Sequence, residues 1–199
     1  MFHKDIKDFF GTVARIATAD DLRLLGLDPR YAGWQLNTTI NSGDAKVTGF
    51  ELSVTQTLTG LTSWGKYFQV FANFTKIDLD GKQDADFSGF LPQTINFGIK
   101  YAKRPFIVNA KWSVRGEQRQ TPNATFGPDG YNYLASITHL DFNVDYQLRK
   151  NMSLYLNARN FFNISVDTLR YGSQTPDYAK MGQIKNYGAI FTVGLKGSF

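Results

Sequence analysis

The sequence predicts an all-β fold, in the form of an antiparallel up-and-down transmembrane β-barrel segment of about seven or eight long strands. The last segment, 185–199, sets apolar residues at odd positions against polar or small residues at even positions. That period of two is the period of a β-strand. The segment exceeds the average strand of about 5–6 residues and suits a membrane strand of about 9–11 residues. Similar alternation recurs along the chain, and short and long connections follow each other in turn.

The composition argues against several classes of protein. The 199 residues include no cysteine, so the chain forms neither disulfide bridges nor thiolate metal sites. The net charge of +5 is spread without a basic run, which argues against nucleic-acid binding. No apolar run approaches the roughly 18 residues of a membrane helix, whereas 17 Phe, 10 Tyr and 3 Trp suit the aromatic girdles of a barrel. Residues 1–10 lack the apolar region of a signal peptide, so we expect the sequence to be part of a longer protein.

The first predicted strand covers residues 2–10 and leads into a long loop. In that loop Thr18 precedes Asp21 by three positions, and Gly26 follows a leucine-rich stretch. A capping residue, an acid at that spacing and a terminal glycine together predict one short helix.

The other strands follow from the same alternation. The sixth has the cleanest pattern, with Leu140, Phe142 and Val144 alternating with Asp141 and Asn143. The second is predicted to run through 34–40, bend at 41–43 and continue over 46–58. The remaining predicted strands cover residues 68–75, 94–101, 106–115, 140–149, 152–159 and 185–199.

The predicted connections alternate between long and short from the first strand to the last. Bacterial outer-membrane barrels have short periplasmic turns and longer extracellular loops. With Phe199 at the periplasmic side, every short connection falls on that side and every long one outside. For the last short connection we predict a three-residue turn, Arg149-Lys150-Asn151, with Asn151 in a left-handed conformation, because Leu148 and Met152 must share a face.

The alternation has two interpretations. In a soluble sandwich or lipocalin-like barrel the apolar face points inward, whereas in a membrane barrel it meets lipid and the polar face meets a wet bore. Long strands, small neutral polar residues and aromatics near the presumed interfaces favour the membrane barrel. An open sheet edge is too costly in lipid, so the strands either close as a small barrel or belong to a larger one. The aromatic residues near the interfaces are Tyr67, Phe68, Tyr101, Phe106, Tyr146 and Phe199.

Four segments, 4–10, 48–51, 158–163 and 188–199, carry a resemblance to the C-terminal part of TonB-dependent outer-membrane receptors. In such receptors an Arg-Asn-aromatic segment ends the penultimate strand. A terminal aromatic, preceded by apolar residues at every second position, serves as the signal to the barrel-assembly machinery. The resemblance assigns that signal to Val193, Leu195, Gly197 and Phe199.

The resemblance implies that residues 1–199 are the C-terminal barrel wall of such a receptor in the bacterial outer membrane. The plug domain, its TonB-contacting box and the earlier strands of a barrel of about 22 strands are absent from this sequence. The implied function is energised import of a scarce ligand, such as an iron chelate, cobalamin or an oligosaccharide. TonB would be reached only through the plug, and lipid would surround the wall.

Three other functions stay open. A self-contained eight-stranded outer-membrane barrel with a structural or adhesive role would need its first and last strands to pair. A soluble lipocalin-like carrier would need the apolar face inside. An outer-membrane enzyme is disfavoured, because no nucleophile, base and orienting group stand out, and we predict neither a catalytic site nor a cofactor.

Charged residues on the predicted polar face are candidates for contact with substrate or plug, although cross-strand ion pairs are their favoured role. Tyr131, Tyr133 and Tyr171 fall in predicted extracellular loops, where they are candidates for stacking on a ligand. The charged candidates are Glu51, Lys100, Lys111, Arg115, Asp141, Asp145 and Arg159.

The acidic stretch 78–86 is a second candidate site, because carboxylates on a flexible loop suit calcium. Its spacing misses the twelve-residue calcium loop, so a solvated turn is the favoured interpretation. His3 and His139 are isolated from acidic partners at ligand spacing. We therefore predict no metal site.

Overall fold

The computed structural model describes residues 1–81 and 88–198. Its strands, in chain order, are β1 (Phe2–Ile6), β2 (Phe10–Ile16), β3 (Gln35–Asn41), β4 (Ala45–Thr57), β5 (Phe68–Gly81), β6 (Gln93–Lys103), β7 (Phe106–Arg115), β8 (Gln118–Pro122), β9 (Tyr131–Leu134), β10 (Ile137–Arg149), β11 (Met152–Arg159), β12 (Val166–Tyr171), β13 (Met181–Lys185) and β14 (Ile190–Gly197). The helix α1 spans Ala19–Leu25, and 3₁₀ turns lie at Pro29–Tyr31, Leu58–Gly60, Gly65–Tyr67, Ala124–Phe126 and Asp177–Ala179.

One antiparallel sheet of eight strands, the main sheet, forms the body of the protein. Its order is β1-β4-β5-β6-β7-β10-β11-β14, so its strands neighbour one another in chain order. This arrangement confirms the predicted up-and-down barrel segment. In the described residues β1 pairs with β4 and β14 with β11, and these two outer strands do not pair with each other. The self-contained barrel, which needs that pairing, is therefore not what the sheet forms.

The register keeps the two faces of the main sheet distinct. Val144 lies opposite Leu156, and Leu156 lies opposite Val193, so apolar residues meet across three strands. On the other face Asn143 lies opposite Asn157. Leu156 is 39% exposed and Val193 is 66% exposed, so the apolar face does not pack into a core. The soluble interpretation, which places these side chains in a compact centre, is wrong.

Two glycines on the polar face allow close approach by an aromatic ring from a neighbouring strand. Phe71 lies opposite Gly98, and Tyr155 lies opposite Gly194. A Cβ at Gly98 would lie 2.7 Å from Phe71 Cε1 and would also meet the carbonyl oxygen of Ala110. A Cβ at Gly194 would lie 2.6 Å from the Tyr155 hydroxyl oxygen. The two rings can lie over these positions of the main sheet because glycine has no side chain there.

The last short connection differs from the prediction. Only Lys150 and Asn151 separate β10 from β11, and Asn151 is not among the described residues with positive φ. A register shift between Gln147 and Arg149 supplies the extra residue instead. A β-bulge inserts one residue into one strand. The bulge thus preserves the face parity that a three-residue turn would have preserved.

The long connections contain more structure than predicted. Residues 35–40 of the segment 34–40 belong to β3, which pairs with β2 rather than continuing β4. The predicted first strand 2–10 is divided between β1 and β2. The long connections that follow the predicted strands 106–115 and 152–159, and that the strand predictions leave as loops, contribute β8, β9, β12 and β13. These strands form a second sheet, the loop sheet, in the order β13-β12-β9-β8.

The short helix is confirmed with its predicted ends. The backbone N–H of Thr18 donates to Asp21 at 2.9 Å, and the backbone N–H of Asp21 donates to the Thr18 hydroxyl at 3.2 Å. Gly26 ends the helix with a φ of 65°. Leu22 is 2% exposed, which anchors the helix in its connection. Within the described residues, no helix has the length and hydropathy needed to span a membrane.

We predict that Gly98→Ala lowers the midpoint of thermal unfolding, because the new methyl group would collide with a ring and a backbone carbonyl. Overpacking of this kind costs about 1–3 kcal/mol. Gly60→Ala is the matched control, since a Cβ at Gly60 meets nothing within 4 Å. Equal midpoints for the two variants would contradict the close approach of Phe71 to Gly98.

Candidate functional site

The loop sheet carries a row of three tyrosines on one face. The ring centroids of Tyr133 and Tyr171 are 5.0 Å apart, and those of Tyr131 and Tyr133 are 6.5 Å apart. The row forms because β9 pairs with β12, which places Tyr131 opposite Tyr171. The guanidinium carbon of Arg119, on β8, lies 4.5 Å from the centroid of Tyr131. We call Tyr131, Tyr133, Tyr171 and Arg119 the tyrosine row. The sequence placed the three tyrosines in loops, and the structure places them together on strands.

Two cavities flank the tyrosine row. The first has a volume of about 390 Å³ and joins the row to β5 and to the connections after β5 and β7. The second has a volume of about 270 Å³ and joins the row to the β2–β3 hairpin. The first is lined by Ile77, Asp78, Leu79, Phe90, Pro92, Glu117, Arg119 and Tyr133. The second is lined by Thr12, Val13, Ala14, Ile40, Pro122, Pro128 and Tyr131.

The lining of the first cavity is suited to a small molecule, because more of its surface is apolar than polar. Ligand sites are concave and mostly apolar, with a few polar groups that fix orientation. Tyrosine is a neutral hydrogen-bond donor at physiological pH, and burial raises the pKa of the Tyr133 hydroxyl further above that range. Larger openings, of about 470 Å³ beside Asp5 and about 690 Å³ beside Asn151, lie along the outer strands of the main sheet. They reflect the open edges of the sheet rather than a site built from several connections.

A carboxylate joins the two hairpins that form the loop sheet. Asp129, between β8 and β9, accepts hydrogen bonds from the Ser173 hydroxyl at 2.7 Å and from the Ser173 backbone N–H at 2.9 Å. These bonds, the hydroxyl bond above all, lower the pKa of Asp129. The backbone N–H of Gln174 also donates to the carbonyl of Phe126 at 2.9 Å. Segments more than forty residues apart in sequence are thereby held together.

The structure divides the charged candidates of the polar face into paired and unpaired side chains. Asp145 forms an ion pair with Lys196, a partner that the sequence analysis missed. Asp141 accepts a hydrogen bond from the backbone N–H of Asn160 at 2.9 Å. Within the parts of the chain that the structure describes, four other candidates on β6, β7 and β11 form no ion pair. They are Lys100, Lys111, Arg115 and Arg159.

Register explains why Glu51 and Arg115 do not meet. The cross-strand row that contains them runs through Thr75 on β5 and Thr94 on β6, so two strands separate the opposite charges. Two positions further along the strands, Ser53 donates to Asn73 at 2.6 Å. Neutral hydrogen-bonding residues therefore stand between these opposite charges on the polar face.

Metal binding receives no support from the described residues. In 1–81 and 88–198, no group of three or more histidine, aspartate or glutamate side chains lies close enough to hold an ion. Asp84 and Asp86 of the acidic stretch lie outside the described residues, so the calcium hypothesis stays a prediction for them. His139 lies on the polar face, and its Nε2 is buried without a hydrogen-bond partner among the described residues.

The predicted assembly signal lies on β14. Val193 and Leu195 belong to the apolar face, opposite Leu156 and Leu154 respectively. Gly197 lies opposite Met152 at the end of the same strand. Phe199 lies outside the described residues. The role of these positions as a signal stays a prediction.

We predict that the tie between the hairpins weakens at low pH. Because the pKa of Asp129 lies below its usual value of 3.8, its contribution to stability is complete above pH 3.8. It is lost as the pH falls through the folded-state pKa. Near-ultraviolet circular dichroism of the tyrosines should report the loss. Asp129→Asn keeps an acceptor oxygen and should flatten this pH dependence, and a wild-type signal that is equally flat would contradict the prediction.

Comparison with known proteins assigns the chain to a family. The family model described as "TonB dependent receptor-like, beta-barrel" matches residues 1–161. Among solved structures, the copper transporter OprC shares 18% identity and a TM-score of 0.65, with 98% of this chain and 27% of that chain covered. The siderophore receptor PirA from Acinetobacter baumannii shares 19% identity and a TM-score of 0.58, covering 99% and 28%.

A third similar structure is the ferric citrate transporter FecA, at 13% identity and a TM-score of 0.58, covering 77% of this chain and 24% of that one. No curated protein matches the sequence. The chain spans about a quarter of the length of these solved structures. At such identities the structures show the shared fold, and the family model supplies the assignment. The chain therefore belongs to the TonB-dependent receptor-like β-barrel family, whose members are proteins of the bacterial outer membrane.

Proposed function

We propose that residues 1–199 are the C-terminal barrel wall of a receptor that imports a scarce ligand in a TonB-dependent manner. The observation that carries the proposal is the eight-stranded main sheet with one exposed apolar face, in a chain matched by the receptor family over residues 1–161. The similar structures are titled as a copper transporter, a siderophore receptor and a ferric citrate transporter. An iron chelate, cobalamin or an oligosaccharide is the proposed class of ligand. Contact with TonB would run through a plug domain of the receptor.

The apolar face of the main sheet is proposed to meet lipid, and the polar face to line the bore. In hydrocarbon, backbone groups must be paired within the protein, which a barrel wall achieves strand by strand. Apolar side chains then lie outward and polar side chains inward. The proposed bore-facing charges are Glu51, Arg115, Asp141, Asp145 and Arg159. The proposed signal to the assembly machinery is Val193, Leu195, Gly197 and Phe199.

The tyrosine row is proposed to be the first contact for the ligand. Short connections of the main sheet lie at the opposite end from the loop sheet, and barrels of this kind place short turns in the periplasm. The loop sheet would then stand at the extracellular mouth. Its aromatic rings and the neighbouring Arg119 suit the planar or hydroxylated surfaces of chelates and sugars. This arrangement supports ligand import rather than catalysis.

A pair of neighbouring substitutions on β11 tests the orientation of the wall. We expect Leu156→Arg to lower the amount of receptor assembled in the outer membrane, because an arginine facing lipid at mid-depth costs about 2–4 kcal/mol. Asn157→Arg, on the polar face, should assemble at the wild-type level. Membrane fractionation with immunoblotting measures both. The orientation would be refuted if Asn157→Arg were the more damaging change.

The ligand role of the tyrosine row is tested by uptake. Cells that carry the receptor should accumulate one labelled class among ferric chelates, cobalamin and oligosaccharides, and an uncoupler should abolish that accumulation. Tyr133→Ala should raise the half-saturating concentration about tenfold or more, as loss of a buried aromatic contact does. Tyr133→Phe keeps the ring and loses only the hydroxyl donor, so it should raise that concentration less than Tyr133→Ala does. Uptake that is unaffected by deletion of the receptor would contradict the proposed function.

A further inference from the structure

The segment 159–163, Arg-Asn-Phe-Phe-Asn, ends β11 and begins the connection that contains β12 and β13. Both asparagines adopt the left-handed conformation, with φ of 50° at Asn160 and 54° at Asn163. Asparagine tolerates that region better than most residues with a side chain. The two residues share a backbone conformation, but only Asn160 uses its side chain for hydrogen bonds within the described residues.

The Asn160 carboxamide holds both ends of the following connection. Its Oδ1 accepts from the Ile164 N–H at 2.9 Å, and its Nδ2 donates to the Ile164 carbonyl at 3.0 Å. The same Nδ2 donates to the carbonyl of Gly188 at 3.3 Å. Ile164 precedes β12 and Gly188 precedes β14, so one side chain closes the base of the connection. We call these three bonds the Asn160 clasp.

The clasp is attached to the main sheet from both sides. The backbone N–H of Asn160 donates to the Asp141 carboxylate on β10 at 2.9 Å. The next residue, Phe161, packs on the apolar side, with its ring centroid 5.2 Å from that of Phe142 and 6.4 Å from that of Phe191. The position of Asn160 is thus set by β10, β11 and β14 together.

The element held by the clasp carries part of the tyrosine row. Tyr171 is the last residue of β12 and lies opposite Tyr131 of β9. Beyond the clasp, the connection is tied to its neighbour by strand pairing and by bonds such as Ala135 N–H to the Asp167 carbonyl at 2.9 Å. Without the clasp, the backbone would still join β12 to β11 and β13 to β14, but the hydrogen bonds that close the base of the connection would be lost.

We propose that Asn160 is a positioning residue for the tyrosine row. By closing the base of the connection it fixes β12 against the main sheet, and it thereby sets the position of Tyr171 beside Tyr133. The contribution to ligand affinity rests on the proposed function. The contribution of Asn160 to the order of the connection 164–188 is independent of the proposed function, and it can be measured without a ligand.

Hydrogen–deuterium exchange of the purified receptor in detergent tests the order of the connection. Asn160→Gly keeps the left-handed backbone and removes the carboxamide, so exchange across 164–188 should accelerate about tenfold or more. Exchange in β7, β10 and β11 should stay at the wild-type rate. Asn163→Gly is the matched control, because it changes the same residue type at the same backbone conformation and removes no side-chain bond among the described residues. Equal exchange in the two variants would overturn the proposal, as would faster exchange throughout the main sheet of Asn160→Gly.

Uptake separates positioning from general stability. Asn160→Gly should raise the half-saturating ligand concentration while the maximal rate, normalised to receptor in the membrane, stays unchanged. A fall in the maximal rate alone would contradict positioning. If the wild-type receptor imports none of the ligands tested, the proposed function fails, whereas the exchange result still decides the clasp.

Discussion

Antiparallel register is the constraint on which the rest of the structure depends. Because side chains alternate along a strand, a slip of one residue would move every apolar side chain to the other face. The pairs Val144 with Leu156 and Asn143 with Asn157 show that the slip does not occur. The two-residue connection between β10 and β11 would exchange the faces of the apolar and polar side chains, and a bulge near Leu148 prevents that exchange. Uniform faces allow a single-layered sheet to present apolar residues on one side and polar residues on the other.

A single-layered sheet leaves the chain with little core of its own. Among the described residues, Leu22 is the largest side chain that is almost completely buried, and it lies in a connection rather than in the main sheet. The wall depends instead on backbone pairing and on rings that cross it, such as Phe71 over Gly98. So small a core is compatible with membership of a family of outer-membrane barrels, since the hydrocarbon around such a barrel tolerates an exposed apolar face.

The candidate site combines segments that are distant along the chain. The tyrosine row needs β9 to pair with β12, the Asp129–Ser173 tie keeps the two hairpins together, and the Asn160 clasp attaches one of them to the wall. Each link is made by few side chains. The loop sheet is thereby held in place without continuing the main sheet, which leaves room for one cavity beside β5 and another beside the β2–β3 hairpin.

Much of the fold follows from local sequence pattern. Alternation located the eight strands of the main sheet, and the spacing of Thr18, Asp21 and Gly26 located the helix, because strand period and helix capping are properties of neighbouring residues. The last strand is shorter than the predicted 185–199, since β14 begins at Ile190 and Lys185 ends β13. The partners of each strand are a different matter. Segment 34–40 alternates well enough to continue β4, yet it pairs with β2, and the stretches around Tyr133 and Tyr171 became strands only by pairing with each other. Pairing, ion-pair choice and the Asn160 clasp depend on which distant backbone lies alongside, and that is settled only when the chain is folded.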